Sequence, residues 1–417
     1  MQSIGGLVQD MSIEDVLGAG LVRSVYQPIV DLDSRQIVAY EALARGPVGS
    51  SLEAPDRLYA AAAARGLTNE LDWACRAAAI DGALAAGLTR AQRLFVNVEP
   101  STFRTPRPAS LDALIAAAAS TLDIVVEVTE RSLVDDPAAL VAEIAAMRDL
   151  GLRVALDDVG AVPESLALLP FLEPDVIKLD LALVRDLADA ATAAISTAVR
   201  SDAERRGSVI LAEGIETEEH VARALVLGAR LGQGWLFGRP GPLPTSLDGG
   251  ARWPIDAAAS SPSIPISPWS LVRDWPQRRT ATKRLLMPMS RHVETRAVAG
   301  EPCVLLSAFQ EARHFTPGTK VRYERFAPRL SLVGAVGAGM ASLPATGVRG
   351  GSIPPDHPLV GEWTVTVVGP HDAVALIAKD TNRGGADADR IFEFVITHDR
   401  PTVIAAARSL MQHIAAG

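Results

Sequence analysis

Residues 153–180 read RVALDDVGAVPESLALLPFLEPDVIKLD. Two short β-branched runs, 153–157 and 176–179, lie at its ends, and each closes on charged residues, Asp157 with Asp158 and Lys178 with Asp180. The same pattern spreads in both directions. Strands are expected at 25–30, 37–43, 94–98, 124–129 and 209–212, with alanine-rich helical stretches at 56–64, 70–86, 111–120, 137–150 and 218–227 between them. Strand and helix in alternation argue for a largely parallel sheet, and the number of repeats favours a closed α/β barrel over an open sheet. Asn97 and Glu99, Glu127 and Glu130, and Glu213 and Glu216 also stand at or just past strand ends. In such a barrel the C-terminal ends of the strands are where reacting groups converge.

So many carboxylates at one mouth cannot be a neutral packing feature. Two like charges 4 Å apart repel by about 4 kcal/mol at an effective dielectric near 20, and several such pairs rival the whole stability of a domain. Cations must sit there or some groups must hold protons. Oxygen ligands without Cys or His select hard ions, so Mg²⁺ or Mn²⁺ is expected, with Ca²⁺ as an inhibitor. Adjacent aspartates at a strand end, Asp157 and Asp158, can serve two ions. Two ions suit phosphodiester hydrolysis, because they hold a water as hydroxide and neutralise the phosphate. Lys178 is placed to orient that water or the developing charge. A single acid near a strand end, such as Glu99, Asp135 or Asp180, is more often a helix cap or a solvated loop residue. Only the whole set carries the reading.

The chain has 417 residues, enough for a barrel and a smaller domain. Its net charge of −9 conceals a split: residues 1–247 hold 21 basic and 34 acidic side chains, whereas 267–417 hold 18 and 13. Two domains with different electrostatic tasks account for this. Residues 241–268 are rich in Pro, Gly and Ser and read as a linker. The second domain, 269–417, is expected to be mixed α/β, with strands at 303–308 and 363–368 and an amphipathic end at 403–414. Cys75 and Cys303 are the only cysteines and form no CxxC, so neither a disulfide framework nor a thiolate zinc site is expected, which fits a cytoplasmic protein. The N-terminus lacks the pattern of a signal peptide. The longest uncharged run, 330–348, is broken by glycines and Pro344, so a buried segment is expected rather than a membrane helix. The basic residues Arg278, Arg279, Lys283, Arg284 and Arg291 lie in no DNA-binding motif, so a solvated or docking face is expected, and not a nucleic-acid site.

Taken in order, YQPIVDLDSRQIVAYEALARG at 26–46, FVNV at 95–98, EVTE at 127–130, DDVG at 157–160, DVIKLD at 175–180, AEGIET at 212–217 and GQGWLFGRP at 232–240 resemble the EAL family of bacterial signalling phosphodiesterases. The resemblance implies an α/β fold with an EAL-type (β/α)8 TIM-like barrel over 20–240, preceded by an N-terminal extension at 1–19. It implies hydrolysis of the second messenger cyclic di-GMP to linear pGpG, commonly by a homodimer. Glu41, Asn97, Glu127 and Asp157 match the ligands of one metal, and Asp157, Asp158 and Glu213 those of a second. Lys178 matches the lysine on the catalytic water, and Glu216 and Gln233 match residues that support the site. Gln27, Leu43 and Arg45 match substrate contacts, the last a guanidinium suited to phosphate. Glu130 matches the anchor of the loop after the double aspartate.

That loop departs from the family, which continues with Phe-Gly, a small residue and a second Gly. Here Val159 replaces the Phe, Val162 the second Gly, and Pro163 follows, so the loop needs another shape. Retention of all ligands favours an enzyme; the alternative is a weak or inactive cyclic di-GMP receptor acting through a protein partner. The C-terminal half resembles, less specifically, a DICT domain, carried by 305–327, 357–380 and 392–411. This implies a sensory module with an unidentified ligand or partner, and His314, Arg313, Arg322 and Trp363 are candidates to line its site.

Overall fold

The computed structural model describes residues 11–99, 102, 105–129, 136–160, 166–185, 190–244, 253, 264–301, 303–382 and 386–415. Eight strands close a barrel: β1 Arg23–Asp31, β2 Ile37–Arg45, β3 Arg93–Asn97, β4 Ile124–Thr129, β5 Arg153–Val159, β6 Val176–Leu179, β7 Val209–Ala212 and β8 Leu231–Gln233. From β2 to β8 each strand pairs in parallel with the next across a helical connection. The first unit breaks this repeat, because β1 joins β2 by a hairpin and runs antiparallel to both β2 and β8. β8 is only Leu-Gly-Gln, too short to leave a hydrophobic pattern.

The barrel starts earlier than its strands. A helix at Ile13–Gly18 opens with a reciprocal capping box, in which Ser12 and Asp15 each satisfy the other's backbone N–H. Its Ile13 and Val16 pack with Leu58 and Leu71 from the helices Pro55–Arg65 and Thr68–Ala85. The chain after β8 is likewise tied down at points. Gly241 bridges Tyr26, and Trp253 is buried against Phe95 inside the barrel, with the Arg93 guanidinium 4.4 Å from its ring.

The second domain is a seven-stranded mixed sheet in the order β12-β11-β10-β13-β14-β15-β9. Its strands are β9 Arg279–Thr282, β10 Val304–Glu311, β11 Leu332–Ala338, β12 Arg349–Ile353, β13 Glu362–Val368, β14 Ala373–Asp380 and β15 Ile391–Thr397. The uncharged run at 330–348 supplies buried β11, so its apolarity belongs to a sheet interior; among the described residues no helix is long and apolar enough to cross a membrane. One face carries the helices Lys283–Arg296 and Pro317–Phe326, whose Leu286, Val293 and Tyr323 share an apolar cluster with Leu305, Trp363 and Phe392 of the sheet. The other carries the helix Arg400–Met411, whose Val403, Ile404 and Leu410 share one apolar cluster with Phe171 and Leu172 of the barrel.

At that contact Arg408 is buried. Its Nε and Nη2 donate to the Phe171 carbonyl at 3.1 and 2.6 Å, and Nη1 lies 3.1 Å from Glu173. Arg206 of the barrel holds the other oxygen of Glu173 at 2.6 Å. Three of the five residues of the expected basic face pair within their own domain: Lys283 with Asp387, Arg284 with Asp389 and Arg278 with Glu393. Both cysteines are free and buried.

Candidate active site

The pleat of the barrel builds the site. Ile29, Ala39, Phe95, Val125, Ala155, Val176, Leu211 and Leu231 belong to one apolar cluster filling the interior. Two residues along each strand, on the same inward face, stand Gln27, Glu41, Asn97, Glu127, Asp157, Lys178, Glu213 and Gln233. In β1 the polar residue precedes its apolar neighbour because that strand runs the other way. An apolar layer therefore lies under a polar one at the mouth.

Alternation alone would bring one aspartate of β5 inward and turn the other out. The pairing of β5 with β6 instead slips between Leu156 and Val159, and Asp158 sits at φ 58° in the left-handed region. This bulge turns two consecutive side chains to one side. Oxygens of Asp157, Asp158 and Glu213 then lie within 4.8 Å of one another. Gly160, at φ 100°, completes the turn, where a Cβ would meet Leu183 at 2.5 Å.

Lys178 is the cation at the centre, fully buried. Its Nζ lies 2.7 Å from Glu127, 2.8 Å from Glu213, 3.0 Å from Asp157 and 3.7 Å from Glu41. Burial pulls its pKa down, but the four surrounding carboxylates outweigh this and hold it well above the ordinary lysine range. Glu41 accepts from Gln233 Nε2 at 2.5 Å and from Asn97 Nδ2 at 3.1 Å. Burial raises its pKa, yet Lys178 and these donors hold it below the usual carboxylate value. Glu127 and Glu213 go the other way. Burial and the neighbouring acids push Glu127 well above its ordinary value, and burial, with Asp157 and Glu41, pushes Glu213 up to about 8.

Five carboxylates facing one lysine leave an excess of negative charge that asks for cations. Oε1 of Gln233 meets no hydrogen bond although the residue is buried, and Glu127, fully buried, has Lys178 Nζ 2.7 Å from one of its oxygens. A buried acceptor without a donor at Gln233, with the oxygens of Asp157, Asp158 and Glu213 converging in the same site, fits divalent metal.

Gln233 Nε2 also donates to Gln27 Oε1 at 3.2 Å, and Gln27 in turn donates to the Gly238 carbonyl. Leu43 and Arg45 line a cleft of about 290 Å³ that Asn97 joins to the carboxylates. Glu216 is not drawn into the cluster; it is partly exposed and pairs with Arg185. Glu130, Asp135, Val162 and Pro163 lie outside the described residues. The sequence reading missed the far wall of the cleft, Tyr59, Asp72 and Cys75 from two helices. Asp72, almost fully buried, accepts from the Glu99 backbone at 3.0 Å and pairs with Arg76. A buried acid in an alanine-rich helix was the only sign of it. Glu99 lines the cleft as well, so it is more than a loop acid.

An α/β barrel with carboxylates converging at the C-terminal ends of its strands has the layout of a barrel enzyme. Residues 11–240 match the EAL domain, and the chain belongs to that family. It is similar to the cyclic di-GMP phosphodiesterase NbdA of Pseudomonas aeruginosa, 30% identical over 246 residues, which cover 56% of this chain and 31% of that protein. It is also similar to the cyclic di-GMP phosphodiesterase RocR of the same organism, 29% identical over 57% of this chain and 62% of that one. The chain thus spans less than two thirds of either relative. Among solved structures it is similar to Klebsiella pneumoniae BlrP1 in a manganese and cyclic di-GMP complex, with 32% identity, TM-score 0.47, and coverage of 53% of this chain and 56% of that one.

Proposed function

We propose that the chain hydrolyses cyclic di-GMP to linear pGpG with two divalent cations, Mg²⁺ or Mn²⁺, and that Ca²⁺ inhibits it. The convergence of Asp157, Asp158 and Glu213 beside the Lys178 carboxylate cage carries this reading. Glu41, Asn97, Glu127 and Asp157 would hold one ion, and Asp157, Asp158 and Glu213 the other. The ions when bound would supply a hydroxide at neutral pH and offset charge on the phosphodiester.

The remaining tasks fall to the protein. Lys178, a cation fixed by its carboxylates, orients the attacking water and stabilises charge as the P–O bond breaks. Gln233 keeps Glu41 ionised and aimed inward. Arg45, at the edge of the cleft, offers a guanidinium to the second phosphate, and Leu43 an apolar surface to a base. Glu216 holds Arg185 at the loop after β7 and supports the site from outside it.

We extend the proposal to regulation by the second domain. Arg408 grips Phe171 and Glu173, which lie in the connection between β5, carrying the double aspartate, and β6, carrying Lys178. Movement of the second domain therefore pulls on a segment that joins two site strands. Dimerisation belongs to the same proposal and is read by sedimentation of the full chain with and without nucleotide.

Incubation with cyclic di-GMP and Mg²⁺ or Mn²⁺ is expected to yield pGpG, and Glu41→Ala to abolish it. Intact nucleotide bound tightly in the presence of both ions would instead select the receptor reading.

A further inference from the structure

The second domain contains a bulge of the same form as the one at the double aspartate. Pairing of β10 with parallel β11 slips between Ala308 and Glu311, and Gln310 sits at φ 63°. A non-glycine residue held there is strained, which is tolerated where the side chain must be aimed. Phe309 and Gln310 both line a cavity of about 80 Å³ with Trp363, Phe392, Glu294 and His314. Phe309, Gln310, Trp363, Phe392 and Glu294 are buried, whereas His314 is part-exposed at the rim.

The cavity has aromatic walls and two fixed polar edges. Gln310 Oε1 accepts from Arg390 Nη2 at 2.9 Å, which holds the amide in place. Glu294 accepts from Arg322 at 2.5 Å. The charges around it balance, since Arg322 faces Glu294, Arg390 faces Asp380, and Lys283 faces Asp387. A charged guest would break one of these pairs. At about 30 Å³ per water the volume holds two or three waters, so it admits at most one small ring. Arg313, a sequence candidate for this site, points away and pairs with Glu311.

We propose that this cavity binds a neutral, planar, single-ring molecule with hydrogen-bonding edges, of the phenol, pyridine-amide or pyrimidine kind. The ring stacks among Trp363, Phe392 and Phe309, and Gln310 and Glu294 read its polar edges.

The full chain is titrated with phenol, nicotinamide and uracil, and with benzoate and benzylammonium as charged counterparts, by calorimetry and saturation-transfer NMR. At least one neutral probe is expected to bind with Kd of about 1 mM or tighter, and the charged ones about tenfold more weakly. Gln310→Gly, whose glycine accepts the positive φ, should weaken that binding about tenfold, and Trp363→Leu should do so further. Absence of binding by every neutral probe, equal binding of charged probes, or parental affinity in Gln310→Gly overturns the proposal. If Trp363→Leu fails to fold by circular dichroism, Gln310→Gly decides alone.

Discussion

Two strands of this protein, β5 in the barrel and β10 in the second domain, carry the same backbone device and different chemistry. In each, pairing with a parallel neighbour skips a residue, and the second residue of the bulge, Asp158 or Gln310, takes a left-handed φ near 60°. In each, two consecutive side chains face one recess. At β5 they are two carboxylates beside an excess of acids. At β10 they are a ring and an amide amid balanced ion pairs. The backbone decides that two neighbours point together; the side chains decide whether the recess holds cations or a neutral ring. The first recess is high in unmet charge and the second in aromatic surface.

The largest effect should come from separating bulge from carboxylate. Asp158→Gly keeps the positive φ at no steric cost and removes the carboxylate proposed to hold metal. Formation of pGpG should fall by about 10³-fold, with the melting temperature unchanged or raised, whereas Gln310→Gly should keep parental turnover. Retained turnover in Asp158→Gly would mean that the bulge serves the fold alone. Next comes Lys178→Met. It leaves Glu127, Glu213, Asp157 and Glu41 around an uncompensated pocket, and loss of one partner from a buried charge group costs about 3–5 kcal/mol. Without metal the variant should unfold at lower denaturant, and Mn²⁺ should restore most of the difference. A metal-free variant as stable as the parent would show that the acids there are protonated and need no counter-charge.

The sequence makes the first recess legible because one physical rule repeats in it. Ala39 and Glu41, Phe95 and Asn97, Val125 and Glu127, and Val176 and Lys178 are each an apolar residue followed two positions later by a polar one on the same face. Period two in a buried strand, repeated across the barrel, sets these polar residues on one face, while their role as ligands is what the family resemblance implies. Leu-Gly-Gln at β8 shows the limit, since three residues carry no period and Gln233 is found only by family likeness. The hairpin of β1 is equally hidden. So are Asp72 and Tyr59, which reach the cleft from alanine-rich helices. The cavity in the second domain is dispersed over a helix and several strands, joined by no spacing rule; Trp363 and Phe309 meet only because β13 pairs β10 in antiparallel register.

The two domains themselves meet at Arg408, and smaller effects test whether that contact joins the recesses. Arg408→Met keeps the length of the side chain and removes two hydrogen bonds to Phe171 and the pair with Glu173. Glu173 keeps Arg206, so the expected loss is about 1.5–3 kcal/mol, that of a charged hydrogen bond, and not of a whole broken pair. If the second domain acts through this contact, pGpG formation should change along with stability; a stability loss with unaltered turnover would make the contact a mere tether.

The smallest effect is in pH. Burial raises the pKa of Glu173, but Arg408 and Arg206 outweigh it and hold it below the ordinary carboxylate value. A group depressed on folding stabilises the fold above its unfolded pKa, near 4.5, and that contribution is lost as pH falls through the folded value. The full chain should therefore lose stability below about pH 4.5 more steeply than Glu173→Gln, whose interdomain contact has no proton to gain. Parallel pH profiles for the two would mean that Glu173 does not link the domains electrostatically. The Arg408 bonds to the Phe171 carbonyl, which do not titrate, would then be what holds the second domain against the strand connection of the site.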